Sequence, residues 1–138
     1  MAKTKKVLSR DVLLTPKMEL TYLPDRDGYV WVKALDALDY LQYNTYLENL
    51  RETEPLPRKQ TVKALAYMTS LCVCDENGNL LYSTKDEDVE KLTKNSMSTL
   101  IIITGVAMRL AGFQKKVIEE ARKELTHVET SLDNSVQS

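Results

Sequence analysis

The residues with the clearest chemical potential in this chain are two cysteines, Cys72 and Cys74, separated by a single valine. A structural zinc site needs four ligands, which usually come from two paired clusters. The sequence has two cysteines and one histidine in total, so a second cluster is missing. The pair ends an apolar helical pattern, and we interpret both cysteines as small core hydrophobes, with no metal bound.

The single histidine, His127, lies near the end of the last predicted helix. A catalytic histidine must be held in fixed geometry beside a nucleophile, and a frayed helix end holds geometry poorly. The sequence also lacks a phosphate-binding loop, a dinucleotide fingerprint and a zinc-peptidase helix. We therefore predict that the protein is not an enzyme and has neither catalytic residues nor a cofactor.

The acidic segment Asp75-Glu76-Asn77-Gly78-Asn79 has a partial likeness to a calcium-binding loop. Its glycine comes too early for the EF-hand spacing, and the twelfth position is Asp86 instead of a glutamate. Asn77-Gly78 tolerates positive φ angles at little cost, which is typical of tight turns. The segment therefore predicts a turn.

The composition indicates one folded domain of 138 residues, 43% hydrophobic and 28% charged. The net charge of −1 argues against a nucleic-acid-binding protein, and the one basic run, Lys3 to Lys6, is interpreted as a solvated arm. No apolar stretch follows that run as it would in a signal peptide, and two cysteines do not make a disulfide framework. These features predict a reduced, cytosolic protein.

The longest apolar run is residues 96–112, SMSTLIIITGVAMRLAG, in which Arg109 is the only charge. It is too short to span a bilayer, which needs roughly 20 apolar residues. The β-branched residues Ile101 to Ile103 would also suit a strand. We favour a helix, because the run is long and ends at Gly112, a natural left-handed cap. A helix this apolar must be buried on several sides.

A β-hairpin is predicted near the start of the chain. Met18, Leu20 and Tyr22 alternate with polar residues, and a second apolar run, GYVWVK, follows a turn formed by residues 24–28. Tyr29 and Trp31 are expected on one face and Val30 and Val32 on the other, with at least one face covered by helices.

Helical periodicity follows the hairpin. In the first of these helices two apolar lines form a wide band that predicts contact with both the hairpin and another helix: Leu35, Leu38 and Leu41 in one line, and Tyr43, Tyr46, Leu47 and Leu50 in the other. Helices are predicted at about 34–52, 58–72, 84–95, 96–112 and 114–125, with Thr84 and Glu87 as a capping box and Asn95 or Ser96 as the cap of the apolar helix. Leu80 to Tyr82 are expected to form a short extended piece that can pack on the core, and Phe113 to close the end of the apolar helix.

Together these patterns predict a mostly α, α+β fold in which an N-terminal β-hairpin packs on four to five helices. The expected single domain covers residues 1–128, with 1–10 as a flexible arm, and residues 129–138 form a disordered tail.

The order of several motifs resembles the tail assembly chaperones of long-tailed bacteriophages. The motifs are the hairpin ending Val30-Trp31-Val32-Lys33, a tyrosine-bearing helix, the run CVCDENGNLLY, the helix KDEDVEKL and the ending LAGF. Lys33 stands where this family often has arginine, and Ala111 stands where it usually has asparagine. The resemblance covers about residues 18–113.

This resemblance implies a non-enzymatic protein of the infected bacterial cytoplasm that is absent from the mature virion. Such chaperones bind the tape measure protein, keep it soluble and help to recruit tail tube subunits. In many of these phages a programmed frameshift produces a longer form, which would be a further partner. Self-association is also compatible with the sequence, whereas nucleic acid and membrane are not expected partners.

A chaperone of this kind must offer apolar surface to an amphipathic helix while it stays soluble itself. The apolar helix and the tyrosine-bearing helix together have more apolar surface than a small domain needs. We therefore predict a partner-binding groove bordered by six residues: Tyr43, Tyr46, Ile102, Val106, Met108 and Leu110. Packing of the tyrosines against the core is the competing interpretation. The competing function is a tail terminator or head–tail connector that stays in the virion and forms rings.

Overall fold

The computed structural model of the protein describes residues 5–112 and has a mixed α+β fold. Its elements are α1 (Arg10–Leu14), β1 (Met18–Leu23), β2 (Gly28–Lys33), α2 (Ala37–Thr53), α3 (Pro57–Cys72), β3 (Val73–Cys74), α4 (Asp86–Leu92) and α5 (Met97–Leu110). The predicted hairpin and the four predicted helices within this range are therefore confirmed. The predicted helix at 114–125, the role of Phe113 and the predicted tail lie outside the described residues.

The sheet has three antiparallel strands in the order β1-β2-β3. The side chains of the hairpin alternate between the two faces of the sheet as predicted. Val32 is fully buried, whereas Tyr29, on the opposite face, is 67% exposed. The face that carries Thr21 and Val32 is the one covered by α5, which contacts both β1 and β2. The opposite face carries Leu20 and Tyr29.

Helix α5 confirms the helical interpretation of the apolar run in spite of its three consecutive isoleucines. It is capped by Ser96, whose hydroxyl accepts a hydrogen bond from the Thr99 amide at 3.1 Å, so Ser96 and not Asn95 is the cap. The Thr104 hydroxyl donates back to the Leu100 carbonyl at 2.8 Å, which satisfies a buried polar group inside the core.

Polar contacts fix α5 along the hairpin at both ends. Ser96 hydrogen-bonds to Asp25, and Arg26 donates to the side chain of Asn95 at 2.9 Å, which ties the start of α5 to the hairpin turn. At its other end Arg109 pairs with Glu19, near the start of β1. The helix therefore runs from the turn of the hairpin to its open end.

Helix α3 is the centre of the core and contacts α2, α4 and α5. It begins at Pro57, which suits the first turn of a helix because that turn has no intrahelical partner for its amides. Helix α3 leads directly into β3 without a loop. The buried side chains of α3 and those of the sheet belong to the same hydrophobic core cluster. The buried hydrophobic residues of this cluster include Val32, Ala66, Leu71, Cys72, Val73, Val89, Leu92, Ile103 and Ala107.

Two elements were not predicted. The residue pairs Trp31–Cys74 and Val32–Val73 make β3 a third strand, although the pattern indicated only a helix followed by a turn. Helix α1, a five-residue helix with no buried side chain, begins at the last residue of the arm predicted at residues 1–10 and covers positions for which no element was predicted. Helix α2 begins at Ala37, three residues later than expected, because Asp36 caps it in a reciprocal capping box with Asp39.

Two local predictions around α4 are wrong. The N-cap residue of α4 is Lys85, and the expected capping box between Thr84 and Glu87 is not formed. Instead, the Asp88 carboxylate accepts hydrogen bonds from the Ser83 amide and hydroxyl at 2.7 and 2.8 Å. Leu80 to Tyr82 do not pack on the core. They are exposed, and the segment is attached to β3 through a bridge between Cys74 and Leu80.

Candidate partner-binding surface

The six predicted partner-binding residues are all partly buried, and five of them pack against the core cluster. Tyr43 and Tyr46 lie on α2, whose main contacts are with α3, whereas the α5 residues belong to a helix that packs on α3, β1 and β2. The two tyrosines line two different clefts, and none of Ile102, Val106, Met108 or Leu110 lines either. The predicted residues therefore do not border one of these clefts together.

The larger of the two clefts has an aromatic floor. The rings of Tyr46 on α2 and Tyr67 on α3 are stacked almost parallel, with centroids 4.0 Å apart and an interplanar angle of 8°. Thr84, which precedes α4, also lines this cleft. We call this space of about 670 Å³ the tyrosine cleft; it is lined by Leu41, Gln42, Thr45, Tyr46, Asn49, Tyr67 and Thr84.

One rim of the tyrosine cleft is formed by leucines of α2 that are open to solvent. Leu41 lines the cleft and is 61% exposed, and Leu38, one turn earlier, is 71% exposed. The sequence pattern placed them in line with Leu35 as packing residues, but only Leu35 is buried. The prediction that all three leucines face the core is therefore wrong for Leu38 and Leu41. The side of α2 that packs toward α3 carries Tyr43, Tyr46 and Leu50 instead.

The electrostatic surroundings of the cleft floor are acidic. Burial raises the pKa of Tyr46, and the nearby carboxylates of Asp86 and Glu90 on α4 raise it further. Burial also raises the pKa of Tyr67, to which Asp39 contributes in the same direction, while the hydrogen bond from Thr84 opposes the shift. Negative charge near a phenol disfavours ionisation, so both tyrosines are neutral hydroxyl-bearing rings at physiological pH.

Further apolar side chains are exposed away from the cleft. On the sheet face opposite α5, Leu20 and Tyr22 of β1 and Tyr29 of β2 are open, and the Tyr22 and Tyr29 rings contact each other with centroids 5.2 Å apart. The apolar side chains of α1 are exposed as well. The sequence analysis did not predict these exposed surfaces, although strand alternation indicates that Leu20, Tyr22 and Tyr29 share one face of the sheet.

The cysteines are buried core residues, as predicted, and both are free thiols. Cys72 lies in the core cluster, and Cys74 lies against the sulfur of Met18 at 3.8 Å. Within residues 5–112 no group of three His, Cys, Asp or Glu side chains is arranged as a metal site would require.

The predicted turn at Asp75 is confirmed, with the Asp75 carboxylate accepting hydrogen bonds from the amides of Asn77 and Asn79 at 2.8 and 3.0 Å.

Both thiols should be unreactive in the native protein. Burial raises the pKa of each, so the reactive thiolate is scarce, and access to reagent requires opening of the core. At pH 8 we expect a disulfide reagent to modify the native chain about a hundredfold more slowly than the urea-unfolded chain. Rapid modification of two thiols in the native chain would show that this part of the core is open.

Comparisons of the chain with protein-family models, with curated proteins and with solved structures found no significant match. None of the helices in the part of the chain that the structure describes has the length and apolarity needed to cross a membrane.

Proposed function

We propose that this protein is a phage tail assembly chaperone that binds helical segments of the tape measure protein and keeps that protein soluble until tail tube subunits assemble around it. It acts in the cytoplasm of the infected bacterium, without enzymatic activity, and is released before the virion is complete. A frameshifted longer form, where it is made, brings the tube protein to the same complex.

The observation that supports this proposal most directly is the tyrosine cleft with its exposed leucine rim. An amphipathic helix buries its apolar stripe when it lies in such a groove. Tyrosine rings suit this role because they offer apolar area together with a hydroxyl that can hydrogen-bond. Leu38 and Leu41, which are 71% and 61% exposed, add about 1–2 kcal/mol each if a partner covers them fully. The ordered set of sequence motifs supplies the identity of the partner.

Co-expression with the tape measure protein tests the proposal. The tape measure protein of the source phage is expected to be insoluble when made alone and to be recovered in the soluble fraction, bound to this chain, when the two are made together. Purified virions should lack the protein. Detection of this chain in purified particles, or a closed ring of it in solution, would instead support a terminator or connector.

A further inference from the structure

We propose that two copies of this chain form a reversible two-fold dimer, in which α1 of each copy packs on the exposed tyrosines of the other copy's sheet. The surface that receives α1 is the sheet face opposite α5, and we call it the open sheet face. This inference shares no residue with the tyrosine cleft and does not rest on the proposed function.

The open sheet face is apolar and exposed. Strand pairing sets Leu20 beside Trp31 and Tyr22 beside Tyr29 on this face, while α5 packs on the other one. Leu20, Tyr22 and Tyr29 are 49%, 44% and 67% exposed. The opposite end of the same face lies under the turn that contains Gly78. The exposed apolar patch is therefore confined to the half nearer the tip of the hairpin.

Helix α1 is a second exposed apolar surface. Val12, Leu13 and Leu14 are 52%, 76% and 74% exposed, and no side chain of α1 is buried. A helix of five residues has little stability of its own in water, so tertiary packing normally supplies it. Within residues 5–112 no element buries the side chains of α1, so that packing must come from another molecule.

Helix α1 and the exposed tyrosines lie at opposite ends of the hairpin. The Lys17 carbonyl accepts a hydrogen bond from the Ala34 amide at 2.8 Å, which fixes the chain to the open end of the hairpin just after α1. Leu14 can be at most about 10 Å from Lys17, whereas Tyr22 lies about 17 Å along the strand from it. A two-fold axis that reverses the strand direction brings the open end of one copy to the tip of the other, so each α1 meets the other copy's tyrosines.

The charges at the two ends are complementary. Residues 5–14 carry three basic side chains and one acidic one. At the tip of the hairpin the Asp27 carboxylate accepts a hydrogen bond from the Tyr22 hydroxyl at 2.8 Å, which places negative charge at the edge of the open sheet face. The basic residue of the turn, Arg26, is directed to the side chain of Asn95. Complementary charges of this kind favour the antiparallel orientation of the two copies.

The exposed area suits a specific dimer. Complete burial of the exposed side chains would cover roughly 350 Å² of α1 and a similar area of the open sheet face. Because each copy contributes both surfaces, the dimer would bury up to about 1,400 Å² in total, which is within the usual range for a specific interface. A one-sided contact would bury only about half of this area, as weak encounters do.

Sedimentation equilibrium and the fluorescence of Trp31, the single tryptophan of the chain, test the dimer with the full-length protein. Trp31 is partly exposed beside Leu20, so a covering α1 should shift its emission to shorter wavelength and reduce its quenching by acrylamide. We expect the mass and the emission to change together over a dilution series. A monomer at every concentration up to about 200 µM would overturn the proposal.

Two charge variants and their mixture locate the contact. Leu13→Glu/Leu14→Glu changes α1, and Leu20→Lys/Tyr29→Lys changes the open sheet face. Each variant alone should self-associate at least about tenfold more weakly, because like charges oppose each contact. An equimolar mixture should form a heterodimer, since one native contact remains and the other brings glutamates to lysines.

The matched control is Leu38→Glu/Leu41→Glu, which places the same charge on an exposed leucine pair of α2 and should dimerise as the unchanged chain does. All the altered side chains are exposed, so the fold should be kept, which circular dichroism checks. A dimer that persists in both charge variants, an equal loss in the control, or a mixture that stays monomeric would overturn the assignment.

Other occupants of the open sheet face give different results in the same assay. If α1 covers the face of its own chain, Leu13→Glu/Leu14→Glu will expose Trp31 without a change of mass. If residues 113–138 cover it, a monomer will show a shielded Trp31 that this variant does not affect. Either result would overturn the assignment to a second copy. An assembly larger than a dimer would overturn the two-fold arrangement, because an isologous contact closes at two copies.

Discussion

A chain carrying Leu38→Glu and Leu41→Glu is expected to lose at least about tenfold of its capacity to keep the tape measure protein soluble. These two leucines are the most accessible apolar groups beside the tyrosine cleft. Both leucines are already partly buried, so covering the rest of each with a partner contributes about 2–4 kcal/mol in total, and two carboxylates at the same positions would oppose that burial. The measurement is the soluble fraction of tape measure protein in co-expression, with urea unfolding of the variant in parallel.

The fold itself should be unaffected by these substitutions, because exposed positions usually change the free energy of unfolding by less than about 0.5 kcal/mol. The matched control is Leu80→Glu/Leu81→Glu, an exposed leucine pair outside the cleft that receives the same charge. Full solubilisation by the Leu38/Leu41 variant, or an equal loss in the control, would contradict the assignment. Met108, by contrast, packs against the core, so its replacement by glutamate would mix folding with binding.

Replacing Leu100 with alanine is expected to lower the free energy of unfolding by about 2–5 kcal/mol. Leu100 is 0% exposed and lies within α5, the helix fixed along the hairpin. Truncation removes its buried surface and leaves a cavity that the surrounding residues cannot fully close. For a domain of this size that loss is a large part of the total stability. Urea unfolding followed by circular dichroism measures it.

The neighbouring substitution Ile101→Ala provides the control, because Ile101 is on the same helix but is 54% exposed. It removes as much side chain from the same helix and should cost less than about 1 kcal/mol. Similar losses for the two variants would mean that α5 is not buried on the side described, and the account of the core would need revision.

The elements that could be predicted from the sequence are those whose signal is local. The hairpin follows from alternation around a turn rich in proline, aspartate and glycine, and α5 from a long apolar run that starts at Ser96 and stops at Gly112. Strand β3 could not be predicted, because two residues carry no periodicity and Val73–Cys74 become a strand only by pairing with β2. The cap of α4 was assigned to the wrong residue because Ser83, Thr84 and Asp88 offer competing local partners.

The candidate site was predictable only in part. Periodicity identified Tyr46 as part of an apolar band on α2, but its ring partner, Tyr67, comes from α3 and could not be read from spacing. Periodicity also grouped Leu35, Leu38 and Leu41 as one line without showing which neighbour covers it. Tertiary packing decided that point, and it left Leu38 and Leu41 exposed.

The attachment of α5 to both ends of the hairpin has a consequence for how the protein can be tethered. Arg109 meets Glu19 at the open end, and Ala111 lies beside Leu35 and Asp36, just after β2 ends. Residue 17, where the chain enters the hairpin, and Gly112, where it leaves α5, therefore lie on the same side of the domain. A probe attached at Lys17 or at Gly112 would therefore lie on that side, away from the tip of the hairpin.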